Sequence, residues 1–487
     1  MILRPRLSNS TPKVMEEKEV RKSKTKMKRV KKREPAAAKN TNKLEEDMED
    51  FFSNEEICNI RASLLCWYQK NQRVVPWRIT SPNTSQVKEE MEEKDQYQLA
   101  QRAYEVWVSE IMLQQTRVAT VIEYYKRWME KWPTIHHLAA ASQEEVNHIW
   151  AGLGYYRRAR FLLEGAKMLV GGQSESQDAQ FFFPTTVSAL CKVPGVGQYT
   201  AGAIASIAFN QAVPVVDGNV VRVLARLKAI SANPKDATTI KSFWKLAGQL
   251  VDPCCPGDFN QALMELGATI CTPSTPSCSV CPISGQCQAF SLSRTNTSVV
   301  VTDYPTKVPK TKQRLDFCAV CVVEILDNQG PETQQGTQTD NVFLLVKRPE
   351  EGLLAGLWEF PSVLIDGEAD LSMRREAMDC YLKKSFKLDT KKKHCVLSRN
   401  YVGEYLHIFS HIRLRMYVEL LVLRLKGGKS FLYDKVENES LQWKCVDNNS
   451  IQSIGLTSGV RKVYNMIEDF KQTQLPLDSS SRKRKPI

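Results

Sequence analysis

The sequence predicts a multidomain protein of two fold classes, an all-α domain over residues 49–290 followed by an α/β (α+β) domain over residues 315–470. Three observations predict it. Apolar residues recur at three- and four-residue spacing in Ile57-Ile60-Leu64-Trp67, in Val106-Ile111-Leu113-Val118-Val121-Ile122 and in Ala201-Ile204-Ile207-Ala208, the stripe that a helix buries on one face. Beyond Arg314 the period falls to two: Phe317-Ala319-Cys321-Val323, Val342-Leu344-Val346 and Ile412-Leu414-Met416-Val418-Leu420-Val422 alternate as strands do. Between the two regimes, residues 291–314 are polar, carry Pro305 and Pro309 and hold Tyr304 as their single aromatic, the composition of a linker. At 487 residues the chain exceeds what one core supports, so two domains with tails is the expected partition.

The remaining elements follow in order. Residues 1–48 contain no aromatic and are highly charged, so a disordered basic tail is expected, and residues 471–487 read as a second one. The polar interval from Ser81 to Lys94 is expected to be a surface loop or a short exposed helix between two buried ones. A helix is expected from about Ser372 to Lys384, between the second and third strand patterns.

Charge is distributed unevenly. Residues 1–43 hold 15 Lys/Arg against 4 Asp/Glu, so +11 of the net +13 lies in the tail and a folded nucleic-acid surface must be a local patch. The run from Arg21 to Arg33 and its echo Arg482-Lys483-Arg484-Lys485 suit nuclear import or a DNA-holding arm. No apolar signal segment opens the chain and no stretch approaches a membrane span of ~20 apolar residues, so the fourteen cysteines are expected in a reducing compartment. Arg4, Arg6 and Lys13, without an acid among the first fourteen residues, hint at a mitochondrial presequence.

Two motifs carry chemistry. Cys271, Cys278, Cys281 and Cys287 fall as C-x6-C-x2-C-x5-C, a thiol density that calls for a metal centre. Zinc is the competitor, but its usual two separated C-x2-4-C pairs are missing, and a [4Fe-4S] cluster tolerates the irregular spacing better. Upstream, Val193-Pro194-Gly195-Val196-Gly197 leads into an apolar-periodic segment from Gln198. Its glycines let backbone approach a ligand, and the first amides of the following helix suit a phosphate. Asp217, in Val215-Val216-Asp217-Gly218-Asn219-Val220, precedes another helix and serves as an N-cap or as a carboxylate that supports a developing cation.

The hairpin turn, Asp217 and the cysteine quartet, in that order over residues 55–290, resemble the endonuclease III superfamily of helix-hairpin-helix DNA glycosylases. Trp107-Val108-Ser109-Glu110-Ile111-Met112-Leu113-Gln114-Gln115-Thr116 and Gly152-Leu153-Gly154-Tyr155-Tyr156 resemble its adenine-specific branch, the MutY family, in its eukaryotic form. The resemblance implies one [4Fe-4S] cluster on the four cysteines and excision of adenine mispaired with 8-oxoguanine or guanine in double-stranded DNA; a monomer is expected, in the nucleus by its basic runs, with the mitochondrion the compartment its first fourteen residues hint at. Bifunctional relatives place a Lys in the helix after the hairpin, where its amine forms a Schiff base. Here Tyr199 stands at that position, so a monofunctional enzyme that leaves an abasic site is implied.

By the same resemblance, Glu110 protonates N7 of the flipped adenine and Asp217 stabilises the oxocarbenium-like sugar or attacks it transiently. Base departure needs a proton and the sugar needs negative charge, the two roles of a carboxylate pair in glycoside hydrolysis. The neighbours Ile111, Met112, Leu113 and Trp107 favour an apolar pocket and a raised pKa for Glu110. Tyr199 and Asn219 are implied to order sugar and water, Trp77, Arg78 and Gln261 to line the adenine pocket, and Gln115, Thr116, Leu153, Tyr155, Gly195 and Gly197 to enter or touch the duplex.

In the second half, Leu353-Leu354-Ala355-Gly356-Leu357-Trp358-Glu359-Phe360-Pro361 resembles the Nudix fold, but the catalytic box is broken. Ser362 and Val363 stand where glycines are expected, and Asp379-Cys380 replaces an acidic pair after Arg375-Glu376. Nudix hydrolysis needs several carboxylates on Mg2+, so a recognition module is expected, with Phe409-Ser410-His411 resembling the loop that reads 8-oxoguanine. No second metal is expected from Cys318 and Cys321, and no Q-x2-[ILM]-x2-aromatic-aromatic clamp motif is found at the C-terminus. Two other readings compete: a pyrimidine-lesion glycosylase/lyase, disfavoured by Tyr199, and a non-catalytic binder of damaged DNA.

Overall fold

The computed structural model describes residues 52–78, 94–172, 183–309, 312–326, 341–391, 395–425, 428, 430–435 and 441–474. The expectations for residues 1–48 and for most of Ser81–Lys94 lie outside these. No helix among the described residues is long and apolar enough to cross a membrane.

The helical half opens with α1 (Asn54–Asn71), whose start is set by a capping box: Ser53 accepts from the Glu56 amide, and the Glu56 carboxylate accepts from the Ser53 amide. There follow α2 (Lys94–Leu113), α3 (Val118–Lys131), α4 (Ile135–Ala139), α5 (Gln143–Trp150), α6 (Arg157–Gly171), α7 (Val187–Leu190), α8 (Gln198–Phe209), α9 (Gly218–Leu227), α10 (Ala237–Leu250) and α11 (Pro256–Thr269). Their apolar stripes close two cores. One gathers Trp107, Trp128, Trp150, Leu162 and Ile204 from α2, α3, α5, α6 and α8. The other joins Ile60 and Leu64 of α1 to Val223, Leu246, Phe259 and Leu266 of α9, α10 and α11.

The expected linker is structured at its start. Helix α12 (Gln288–Thr295) and a 3-10 turn (Val301–Asp303) occupy much of it. The chain is then pinned to the helical domain, because Arg226 donates to the Tyr304 carbonyl at 3.2 Å and Thr306 donates to the Ser231 carbonyl.

Strands β1 (Arg314–Leu326), β2 (Val342–Lys347), β3 (Trp358–Glu359), β4 (Ser362–Ile365), β5 (Val396–Ile408), β6 (Ile412–Arg424) and β7 (Trp443–Asp447) form one mixed sheet. Its path runs β3-β2-β1-β6-β5, with β4 beside β1 and β7 beside β2. The β1–β6 pair is parallel, with Val320 opposite Val418. Both faces are covered. Cys318, Val320 and Val322 pack with Val463 and Ile467 of α16 (Ser458–Gln474), whereas Ala319, Cys321 and Val323 pack with Met378, Leu382 and Phe386 of α13 (Leu371–Phe386). Cover on both sides explains why β1 is nearly continuously apolar rather than alternating. Short helices α14 (Ser430–Lys435) and α15 (Asn448–Ser453) complete the domain.

The expected helix at 372–384 is α13, longer by a residue or two at each end. The domain runs past residue 470, since α16 continues to Gln474 into the segment expected to be tail. Strand β5 escaped the period-two pattern because irregularities in its pairing with β6, between Val396 and Ser398 and between Tyr401 and Gly403, interrupt the alternation.

Candidate active site

Glu110 lies in the last turn of α2, and Tyr199 in the first turn of α8, just past the hairpin turn. The turn needs Gly195 twice over: its φ is +76°, and a Cβ there would stand 2.6 Å from Phe161. Gly197 is the N-cap of α8 and has open space beside it, so the hairpin turn is free to approach a ligand. Asp217 caps α9, its Oδ1 accepting from the Val220 amide at 2.7 Å and its Oδ2 from the Asn219 side-chain amide at 2.7 Å. The cap reading of Asp217 is thus met by its Oδ1, while its Oδ2 is held by Asn219.

Glu110, Tyr199, Asp217 and Asn219 line one cavity of about 740 Å3, together with Trp77, Arg78, Gln115, Thr116 and Gln261; Gly195 and Gly197 lie outside its lining. Tyr199 donates to Glu110 Oε2 at 2.6 Å. Glu110 is 6 % exposed, and burial pushes its carboxyl up to about 7; Asp217 adds to the rise, while the Tyr199 hydroxyl and Arg78 oppose it. Burial also raises Asp217, and its acceptor bonds from Val220 and Asn219 offset part of that rise. The Tyr199 hydroxyl is driven well above its usual range, first by burial and then by the two carboxylates, and it acts as a donor only. Two protonatable carboxyls in different surroundings face one space, the arrangement that divides acid from anion.

A third carboxylate in this cavity was not singled out in the sequence. Glu265 of α11 has a fully buried side chain held by Arg73 and by Arg78, each at 2.8 Å. Burial alone would raise it, but the hydrogen bonds and charges of the two arginines prevail and hold its carboxyl low. A Glu four residues after Gln261 in the otherwise apolar run Ala262-Leu263-Met264 was the available signal. Arg78 thus lines the pocket with its guanidinium tied to Glu265, also reaching the Arg73 carbonyl at 3.2 Å.

Of the residues expected to enter the duplex, Tyr155 is 49 % exposed, and Gln115 is exposed at the end of α2. Leu153 differs: it is buried in the first core, because the turn that exposes Tyr155 directs its neighbour inward. Trp77 is also buried, edge-on to Tyr125 at 5.3 Å between ring centroids, while still forming a wall of the cavity. A second cavity, of about 970 Å3, opens between the domains. Gln115, Tyr155 and Gly195 line one side of it, and Phe409, Ser410 and His411 line the other. The last three form the tip of the β5–β6 hairpin, closed by the Phe409 amide donating to the Ile412 carbonyl at 2.8 Å. Ser410 and His411 Nδ1 are 3.1 Å apart, and His407 stands edge-on to Phe409 with ring centroids at 4.4 Å.

The four cysteines come together around one small pocket after α11, on a loop with 3-10 turns at Cys278–Val280 and Ser284–Gln286. Burial, with the neighbouring thiols adding to it, pushes Cys281 up to about 12 and Cys287 up to about 11, so four thiolates here require a cationic centre. Arg226, buried beneath them, donates to Cys271 Sγ at 3.2 Å and to the Thr272 carbonyl at 2.8 Å. Among the described residues, no three His, Cys, Asp or Glu side chains are grouped to hold a single metal ion. The donor set is four cysteine thiols around one small pocket, which suits a tetrathiolate metal centre.

Residues 108–249 match the HhH-GPD superfamily of base excision DNA repair proteins, and residues 336–466 match the NUDIX domain. The chain is 56 % identical to an adenine DNA glycosylase of Arabidopsis thaliana over 86 % of its own length and 65 % of the relative's, just under two thirds of that protein. It is 39 % identical to the adenine DNA glycosylase of Mus musculus, covering 86 % of this chain and 79 % of that one. It is 43 % identical to that of Homo sapiens, covering 76 % and 68 %.

Proposed function

The chain belongs to the adenine DNA glycosylase family, and we propose that it hydrolyses the N-glycosidic bond of an adenine mispaired with 8-oxoguanine or guanine in duplex DNA, leaving an abasic site. The observation that carries the reading is the buried Glu110, hydrogen-bonded to Tyr199 and facing the same cavity as Asp217.

Extraction of the base costs a few kcal/mol of stacking and pairing. Gln115, which lines both cavities, and Tyr155, exposed in the second, are suited to replace it in the stack. Within the first cavity, Glu110 with a pKa of about 7 is protonated in roughly half of the molecules at neutral pH. It donates its proton to the leaving adenine as the glycosidic bond lengthens. Asp217, whose two hydrogen bonds are both accepted, keeps negative charge directed at the sugar as positive charge develops there. The base leaves as the neutral purine, and water then adds to the sugar, its released proton returning to the ionised Glu110. Tyr199 orients the acid through its 2.6 Å hydrogen bond and offers no amine, so strand scission through a Schiff base is not part of the reaction.

Phe409, Ser410 and His411 are assigned to the base opposite the adenine. Ser410 both donates and accepts, which suits the added O8 and N7–H of 8-oxoguanine. Cys271, Cys278, Cys281 and Cys287 are assigned as ligands of a [4Fe-4S] cluster, which when bound fixes the loop that follows α11.

The test is direct. The protein is incubated with an 8-oxoG:A duplex under single-turnover conditions, and the products are treated with hot alkali. Cleavage at the adenine, requiring the alkali step, is expected; binding without cleavage would instead favour a damage-binding protein, and cleavage without alkali a lyase.

A further inference from the structure

Arg158, the second residue of α6, is 8 % exposed, and among the described residues it pairs with no carboxylate. Its guanidinium is surrounded by neutral acceptors from three segments. Nη1 donates to the carbonyls of Ile111 at 3.0 Å, Met112 at 2.9 Å and Gln114, so it satisfies the end of α2, where helix carbonyls lack intrahelical partners. Nη2 donates to Thr116 Oγ1 at 3.2 Å, in the turn that carries Gln115. It also reaches the carbonyls of Leu153 at 3.4 Å and Gly154 at 3.1 Å, in the turn that carries Tyr155. The faces of Trp150 and Tyr155 complete the enclosure, with the guanidinium carbon 5.2 Å and 5.4 Å from their centroids.

Both turns hold a non-glycine residue in the left-handed region, Gln115 at φ 57° and Tyr155 at φ 48°. Such backbone is strained for a residue with a side chain and persists where surrounding contacts dictate it. One planar fork supplies those contacts to both turns and, one turn back along α2 from Gln114, to the residues next to Glu110. A lysine, with a single point of donation, cannot span them.

We propose that Arg158 is a positioning residue for base extrusion, a guanidinium clamp that registers the two duplex-entering turns at Gln115 and Tyr155 against the helix end that presents Glu110. The proposal rests on the reading above that these turns enter the duplex. Arg158 does not line the cavity that holds Glu110 and Asp217; it acts through the backbone it holds.

Full-length wild type, R158K and R158Q are compared, with the active fraction fixed by the burst amplitude on an 8-oxoG:A duplex. Extrusion is read as the fluorescence rise of 2-aminopurine placed at the adenine position, and binding is read on a duplex carrying an abasic-site analogue there. Both variants are expected to lower the single-turnover rate per active molecule by about 10- to 100-fold. They should cut the 2-aminopurine rise by more than half and change affinity for the abasic analogue less than threefold, with lysine giving little rescue. A full-sized fluorescence rise and an unchanged rate per active molecule, with only the active fraction or melting temperature lowered, overturn the proposal. Should R158Q not fold, R158K, which keeps the charge and the stem, carries the test. If wild-type protein extrudes 2-aminopurine but releases no adenine, the functional reading fails while the clamp is still tested by the fluorescence.

Discussion

The two halves of the molecule each bury a pair of carboxylates, and they treat them in opposite ways. In the helical domain Glu110 and Asp217 face a cavity with a tyrosine, an asparagine and backbone amides as their hydrogen-bond partners. In the C-terminal domain Glu419 accepts from Arg375 and, at 2.9 Å, from Arg399, which also reaches Asp379 at 2.5 Å. Arg375 and Asp379 belong to the segment that resembles a Nudix box, and here they are tied into this ion network rather than left free for a cation. A buried carboxylate with arginine partners is held in place by charge and serves the fold; Glu110, bonded to a tyrosine instead, is costly to ionise and so holds a proton for use. Glu265 makes the same point inside the active cavity, where Arg73 and Arg78 hold its carboxyl low, 155 positions along the chain from a glutamate that burial pushes up to about 7.

The contrast breaks first at Glu110. Glu110→Gln is expected to slow adenine release about 10^2- to 10^4-fold while leaving duplex affinity intact, measured by single-turnover cleavage and by gel shift. In the other domain, Arg399→Met removes the arginine shared by Glu419 and Asp379 and leaves Glu419 with Arg375, so a destabilisation of about 1–3 kcal/mol is expected in chemical denaturation; excision per active molecule should not change. A shift under 1 kcal/mol would mean that the ion network is dispensable to the fold.

The two sites should also differ in their response to pH. Because the folded pKa of Glu110 stands near 7 against 4.5 unperturbed, the stability it contributes is fully present below about 4.5 and is lost as pH rises through about 7. Glu110→Gln is therefore expected to gain up to about 3 kcal/mol on wild type at pH 8, and nothing at pH 4, in urea titrations. Over the same range, the rate of adenine release should be level below pH 7 and fall up to tenfold per unit above it. A level profile from pH 5 to 8 would remove Glu110 as the titrating acid. The smallest effect is reserved for the hairpin tip: Ser410→Ala is expected to reduce the preference for 8-oxoG:A over G:A by about tenfold, roughly the worth of one hydrogen bond, with little change on G:A.

Local signals made much of this legible. Helical periodicity, the change to period two, the Pro-Gly-Val-Gly turn, Asp217 and the clustered cysteines are all properties of neighbouring residues, and they mark the domains and most of the cavity lining. What escaped was non-local or irregular. Strand β5 was hidden by its pairing irregularities, the buried face of Leu153 by a turn geometry, and Glu265 by partners 187 and 192 positions away.

The sequence by itself determined which residue types are available and in what order: an acid at 110, a tyrosine where an amine would cut the strand, an acid at 217, four thiols and a Phe-Ser-His tip. Only the tertiary structure decided their states. Whether a carboxylate holds its proton depends on burial and on which charges fold against it, and those are set by α2, α8, α9 and α11 converging on one cavity. The same holds for Arg158, unremarkable in the sequence, whose surroundings join three segments that only the folded chain brings within reach of one guanidinium.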